Sequence, residues 1–586
     1  MDPTLALVLQ ALLIGAALAI ALFGRPGTTS QRRRRSGDAN ATTTPPPPPY
    51  LPGLPLLGNC IALGRSGAAV LLAARRETEL QQQDQKDCFA VRAFPLAPPL
   101  VFVFHPKAVA SFFAAPEETL AFKPAVRQFT ERVFGLPADE FSSSHEPLLD
   151  ALRALLSPPA RLRARAATIA TRAAPLLDAW AEDNDRTPSN SFDLWHKART
   201  LVFQAAGKAL FGDAFFARHG AERLQQLFLD FEGNFERAAS PVPHFLLGKF
   251  SGAKKALLRA FAESLESGDL DGTVAGELAA RSGVRPALQP SLLLSVLWAS
   301  QANSMPAFFW ALAFLLRPEN KGWLERVREA AAAQEAGADD VDGTVAAIEA
   351  AVDPSGPAQR VANEAIRARA HSIAIRLVPS SSEGGRGAGG FDVPVAAAAA
   401  DTPSLVRVPP GSILAVCPFE THADERFFSP TPAEFDPSRP PTAALPGGGG
   451  VGMGFGGGFW RCPGRLFAGM ELGLLLTMAV TRLDISLAED GSGSGAVEAR
   501  PSGDGLCWWE RAAVFALGER RARYGLGVGL QEYETLAPVC PSLSPPADLK
   551  RLVGFKVPAA PLRVVVVAAA KAARRRKNQD AATSGR

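Results

Sequence analysis

Cys462 stands in the run FGGGFWRCPG (455–464) and is one of only six cysteines in 586 residues. The residues around it bound the chemistry it could do. Pro463 suits the first turn of a helix, and GRLFAGMELGLLLTMAV continues with helix formers, so Cys462 is expected just before a helix amino terminus. Unpaired backbone N–H groups and the helix dipole there favour a thiolate over a thiol. The glycines ahead of it remove side chains where the backbone must approach something large and flat. An iron porphyrin is such a partner, and a single axial thiolate suits oxygen chemistry at its metal. Two other readings fit the same residues. Gly452, Gly454 and Gly457 match GxGxxG, although no β-branched strand precedes them as a dinucleotide fingerprint requires. A loose glycine loop beside an inert buried cysteine also stays open on this stretch alone.

Phe455, Gly458, Cys462 and Gly464 reproduce the FxxGxxxCxG ligand loop of cytochrome P450 enzymes, which this chain resembles. The resemblance implies a haem cofactor with Cys462 as its metal ligand. The arginine that the family commonly carries two residues before the cysteine is Trp460 here, with Arg461 beside it; the indole N–H still offers a donor to a haem propionate. Glu364 to Arg367 (EAIR) resembles the family's ExxR helix, and Arg439 in EFDPSRP falls where the family supplies a third member. One carboxylate between two guanidiniums makes a charge-assisted clamp, which the resemblance implies holds the cysteine loop to the core. It also assigns Arg376, in SIAIRLV, and Arg153, in LLDALRALL, to the propionates. Each of these equally fits a surface arginine.

The stretch LWASQANSMPAFFWALAFLLRPE (297–319) reads first as a buried helix. Pro306 cannot donate to the carbonyl of Ala302, and its ring pushes that carbonyl away, so a kinked groove is expected in mid-helix with Asn303 facing it. Over a haem this is where dioxygen binds. Most members of the family carry an acid and a threonine at the positions held here by Ala302 and Asn303. The pattern WASQAN..P..FW, with CPGRLFA and FERAASPVPHFLLGKF, resembles the branch of cholesterol and oxysterol 7α-hydroxylases, sterol 12α-hydroxylase and prostacyclin synthase. A carboxamide can hydrogen-bond bound oxygen but cannot ionise, so proton delivery must use water or another group.

The elements that must position these residues follow from pattern. From about 65 to 370 amphipathic helical stretches dominate, interrupted by LVFVFHPKAV as a strand. After 375 the pattern mixes, with Gly/Ala-rich and Gly/Ser-rich stretches at 380–400 and 490–505 read as loose surface loops. A last strand-like run, LRVVVV, precedes an Arg/Lys tail. The expected fold is mainly α with small β-sheets, the cytochrome P450 fold, as one large domain over 51–569. Residues 1–24 are expected as a transmembrane anchor, 25–50 as a basic and proline-rich linker, and 570–586 as a basic tail. Leu5 to Phe23 is apolar except for Gln10; about 19 helical residues at ~1.5 Å each span roughly 28 Å, a hydrocarbon core. Arg25 and Arg32 to Arg35 follow this run rather than preceding it, which favours an uncleaved anchor over a signal peptide and puts the remainder on the cytosolic side.

Composition excludes several classes. The hydrophobic content of 47% builds a large core, and the net charge of +4 leaves no footprint for nucleic acid. There is no CxxC pair and no HExxH, against a disulfide scaffold or a zinc site. The expected function is an endoplasmic-reticulum-anchored haem-thiolate monooxygenase. It would hydroxylate an apolar substrate (sterol-like, terpenoid or another lipid) with electrons from a separate NADPH-dependent reductase. Two alternatives stand beside it: a haem-thiolate isomerase of a lipid peroxide that needs no reductase, and a membrane-tethered haem-binding or interaction protein without turnover.

Overall fold

The structure is a computed structural model. It describes residues 45–80 except 56, then 87–93, 97–186, 191–335, 348–351, 353–370, 372–380, 389–395, 404–440, 452–488, 517, 520, 523–524 and 562–568. Residues Pro45–Arg586 make one compact unit. The expected anchor, residues 25–44 of the linker and the basic tail lie outside the described residues. Among the described residues no helix is long and apolar enough to cross a membrane. The end of the proline run is docked on the globule: the Pro49 carbonyl accepts from Ala90 N–H at 2.8 Å and the Pro46 carbonyl from Arg407 N–H at 2.9 Å.

The long helices are α1 Cys60–Leu80, α2 Pro106–Ala114, α3 Ala138–Leu156, α4 Pro159–Arg186, α5 Leu194–His219, α6 Ala221–Glu232, α7 Gly248–Ser267, α8 Val274–Arg281, α9 Gln289–Gln301, α10 Ser304–Leu315, α11 Lys321–Glu335, α12 Pro357–Arg369 and α13 Arg465–Arg482. Local chemistry sets several starts. The Asp193 side chain caps α5 by accepting from Trp195 N–H at 3.1 Å, and the Thr273 hydroxyl caps α8 by accepting from Gly276 N–H at 3.1 Å. All of α10 from Ser304 to Leu315 is buried, as its all-round apolar sequence requires. It packs against α5, α12 and α13, while α4 covers α5 and α13. This bundle is the main core.

Three small sheets flank it. β1 Cys88–Val91, β2 Leu100–Val103, β4 Ala374–Leu377 and β7 Ile413–Val416 form a four-stranded sheet in the order β1-β2-β7-β4. The β2–β7 pair is parallel and the others antiparallel. β3 Phe192–Asp193, β8 Leu483–Leu487 and β9 Arg563–Ala568 form a second sheet with β9 central, and β5 Phe391–Val395 pairs with β6 Ser404–Val408. LRVVVV is thus a central strand. Two expectations change. The 380–400 stretch, read as a loose loop, contains β5, whose Val393 and Val395 are buried. LVFVFHPKAV is strand only to Val103, because Pro106 opens α2 with the His105 side chain accepting from Lys107 N–H.

Candidate active site

The loop 452–464 enters α13 with Gly464 as the N-cap and Arg465 as the first helical residue, so Pro463 precedes the helix and does not occupy its first turn. The Cys462 N–H donates to the Phe455 carbonyl at 2.9 Å, closing the loop. Burial pushes the Cys462 thiol up; N–H groups of Gly464 and Arg465, and the charges of Arg465 and Arg461, pull the other way without prevailing. The helix terminus expected to favour the thiolate is therefore outweighed by lost hydration in the protein alone. Some glycines of the loop answer to the protein itself. Gly458 has φ of 61°, and a Cβ there would lie 2.1 Å from the Phe113 carbonyl oxygen at the end of α2. At Gly457 a Cβ would lie 2.8 Å from the Phe113 ring. At Gly464 a Cβ would meet nothing closer than Cys462 Sγ and Leu156, both at 3.9 Å.

Glu364, Arg367 and Arg439 are brought together. Arg367, fully buried, donates through Nε and Nη2 to the two oxygens of Glu364 at 2.8 and 2.7 Å. The Arg439 Nε lies 3.7 Å from Glu364 Oε1, a longer and weaker arm. The guanidiniums also grip backbone: Arg367 donates to the carbonyls of His422, Pro432 and Glu434, each at 2.9 Å, and Arg439 to that of Thr431 at 2.9 Å. The clamp holds the 422–434 segment directly. Its link to the cysteine loop is His422, which the sequence reading passed over. The His422 Nε2 accepts from Met453 N–H at 2.9 Å, so Nδ1 carries the proton and donates to the Arg367 carbonyl at 2.8 Å. Burial, then Arg367, pushes its pKa down to about 3.

Beside the cysteine loop lies an aromatic and cationic cluster. The Trp460 ring stacks on Phe122 with centroids 4.7 Å apart and meets His145 of α3 at 4.9 Å. Arg376 of β4 lies over the rings of Phe112 and Phe122 at 5.1 and 4.9 Å. It is buried and donates to the Ile375 carbonyl. Arg376 has no ion pair at contact distance among the described residues, and burial lowers its pKa to about 10. His145 is buried with neither ring nitrogen hydrogen-bonded, and Arg461 Nε is likewise unpartnered. Burial first, then Lys123 and Arg153, pushes His145 down to about 4. Arg153 itself is half exposed and pairs with Asp150 at 3.2 Å, and its charge still reaches His145.

The expected kink is a break between α9 and α10 at Ala302 and Asn303. The Ala302 N–H closes α9 on the Trp298 carbonyl, and the Ala307 N–H closes the first turn of α10 on the Asn303 carbonyl. Pro306 sits in that first turn, where its missing N–H is tolerated. Ala302 and Asn303 are half-buried. The Asn303 carboxamide caps nothing.

The Cytochrome P450 family model matches residues 403–495, which contain Cys462. The chain is 24% identical over 395 residues to the 24-hydroxycholesterol 7-alpha-hydroxylase of Mus musculus, covering 64% of this chain and 75% of that protein. It is 26% identical over 345 residues to the 5-beta-cholestane-3-alpha,7-alpha-diol 12-alpha-hydroxylase of Sus scrofa, covering 54% of this chain and 62% of that one. A retinoic acid-bound cyanobacterial CYP120A1 matches the structure with a TM-score of 0.55 at 19% identity, over 76% of this chain and 94% of that chain. This last likeness is one of fold. The chain is similar to cytochrome P450 enzymes in the region of its cysteine loop and in its fold.

As a cytochrome P450 monooxygenase it takes haem bound through a cysteine thiolate, and the residues present fit that group. Around Trp460 of the cysteine loop stand a buried guanidinium without an ion pair at contact distance among the described residues and an imidazole with neither nitrogen hydrogen-bonded. Such donors suit the carboxylates at the edge of a flat macrocycle. The structure groups Arg376 and Trp460, both expected from the sequence, with His145, which was not singled out there. The available signal was its place in the same helix as Arg153, two turns earlier.

Proposed function

We propose that this cytochrome P450 hydroxylates an apolar, sterol-like substrate with electrons from a separate membrane-bound reductase, at the cytosolic face of the endoplasmic reticulum. Haem held by a thiolate supplies dioxygen activation and insertion of one oxygen atom into a C–H bond. On this reading Cys462 is the ligand, and Phe455, Gly458 and Gly464 shape its loop. Arg376, Trp460 and His145 hold the propionates, with Arg461 beside them. Asn303 donates from its carboxamide to oxygen or water in the turn left by Ala302, and the apolar lining of α10 limits water there.

The observation that carries the reading is that turn. A proline deprives the Ala302 carbonyl of its helical donor, and a carboxamide with no capping role lies next to it. The two mammalian relatives are named as sterol hydroxylases, which supports the substrate class. Phe245 and Leu246 project into solvent between α6 and α7, which suits contact with a bilayer from which such a substrate comes.

The test has two stages. Reduced protein with carbon monoxide should give a red-shifted Soret band that Cys462→Ser abolishes. Turnover of 24-hydroxycholesterol should then require both NADPH and reductase. Conversion of a lipid peroxide without either would replace hydroxylation by isomerisation.

A further inference from the structure

Lys254 on α7 and Arg132, in the π-helical turn Gln128–Phe134, are half-buried cations. The Lys254 Nζ donates to the Arg132 carbonyl at 3.0 Å, and among the described residues no carboxylate stands at ion-pair distance from it. Burial first, then the Arg132 charge, lowers its pKa to about 8. The Nε and Nη2 of Arg132 donate to the carbonyls of Ala238 and Val242 at 3.3 and 2.9 Å, so this guanidinium grips backbone and not an acid. The acid of that turn, Glu131, pairs with Arg127 at 2.9 Å. Two like charges held together away from bulk water oppose each other, and an anion is the group that would offset them.

A hydroxyl faces the ammonium across a gap. Gly135 follows the turn with φ of 81°, and a Cβ there would lie 3.5 Å from both Lys254 Nζ and Ser291 Oγ. The missing side chain leaves room for an oxygen atom between an N–H donor and an O–H donor. Ser291 is buried in the first turn of α9. From it, Ser295, Trp298 and Ala302 follow at i+4, i+7 and i+11, the spacing of one helix face. Eleven residues at ~1.5 Å each run roughly 17 Å, about the length of a steroid nucleus with its side chain. The wall between the two ends is apolar: Trp298 stacks on Phe235 at 4.1 Å and meets Phe134, the neighbour of Gly135, at 5.8 Å.

We infer that Lys254 and Ser291 hold the oxyanion end, a carboxylate or sulfate, of an amphiphilic substrate whose apolar body lies along this face of α9. This deepens the function proposed above and rests on oxidation taking place at the Ala302–Asn303 turn. The ammonium keeps two N–H bonds to donate and the hydroxyl one, and the Arg132 charge adds to the field. A neutral ligand of the same shape would leave these donors without a charged acceptor. The carbon oxidised then lies at the end of the molecule opposite the acid.

The test uses the full haem-loaded chain, titrated with a cholanic acid or its methyl ester and read by the shift each causes in the Soret band. The wild type should bind the acid at least about tenfold more tightly than the ester. Lys254→Met should bring the acid to the affinity of the ester, Lys254→Arg should retain most of the preference, and Ser291→Ala should lower it about threefold. The red-shifted carbon monoxide band of each variant separates loss of the anion contact from misfolding, and Ser291→Ala decides the matter where Lys254→Met fails to take up haem. Equal affinity for acid and ester in the wild type, or a preference that survives Lys254→Met, overturns the inference alone. So does a Lys254→Met variant whose one loss is sedimentation with phosphatidylserine vesicles, which would assign the charge to lipid headgroups. A wild type that binds neither ligand, or that lacks the red-shifted band, overturns the functional reading and this inference with it.

Discussion

Every donor of Arg367 is engaged, two nitrogens on Glu364 and the rest on three carbonyls. Removing the carboxylate leaves a guanidinium buried with its charge unopposed. Glu364→Ala should therefore cost about 3–5 kcal/mol and yield protein that purifies without haem, measured by denaturant unfolding and by the Soret absorbance per chain. His422 adds a dependence on acid. Its native pKa lies near 3, below the ordinary value of about 6.5. Between these values the unfolded chain binds a proton that the native chain refuses, so stability falls as pH drops through the window. At pH 5 the share of His422 comes to about 2 kcal/mol, and the carbon monoxide band should shift back toward the thiol form as Met453 loses its acceptor. Glu471, buried on α13 with the Ser304 hydroxyl donating to it, works with opposite sign. Its raised pKa makes the native state hold a proton that the unfolded chain has released, so stability falls as pH rises from about 4.3 toward 8. Glu471→Gln should flatten that alkaline decline in thermal melts.

At the scale of elements, the loop 452–464 is a surface shaped to fit α2. Gly458 combines a left-handed φ of 61° with a Cβ position 2.1 Å from a backbone oxygen, so no side-chain rotation can relieve a substitution. Gly458→Ala should displace the loop, costing on the order of 1–3 kcal/mol from strain alone, and lower the fraction of protein showing the red-shifted band. The motif made Gly458 legible, but the reason for it was not, because Phe113 lies 345 residues earlier. The clamp was legible only through the resemblance of EAIR and EFDPSRP to the family's segments, since a carboxylate and a guanidinium three residues apart fit any solvated helix face; Pro306 was legible because its effect on a helix is local. His422 and Glu471 were not. Each acts through a partner on a distant segment, Met453 for one and Ser304 for the other. Their only signals were a histidine ahead of an acidic turn and a lone acid within the apolar run FAGMELGLLL. Arg153 pairs with Asp150, an i, i+3 contact on one helix face that was readable from the sequence.

At the scale of the whole molecule, distant segments close on one another: β9, starting at Arg563, inserts between Phe192–Asp193 and Leu483–Leu487, and Ala90 of the first sheet binds the proline segment at Pro49. The globule from Pro45 onward thus has its own closed core and can be tested apart from the expected anchor. Its surface carries an apolar point where α6 and the short helix after it give way to α7: Phe245 is 82% exposed, Leu246 59% and Val242 37%. These three residues leave apolar surface in solvent within one short segment, and a bilayer interface would bury it. Transferring a side chain of this size from water gains about 1.5–3 kcal/mol, which is at least roughly tenfold in partition coefficient per residue. A chain starting at Pro45 should bind neutral phosphatidylcholine vesicles, and Phe245→Ser with Leu246→Ser should weaken sedimentation with them on the order of a hundredfold. The effect should be independent of salt, because apolar transfer and not charge drives it. Equal binding by the double variant would locate the membrane contact on another face and remove this route for an apolar substrate to reach the turn at Asn303.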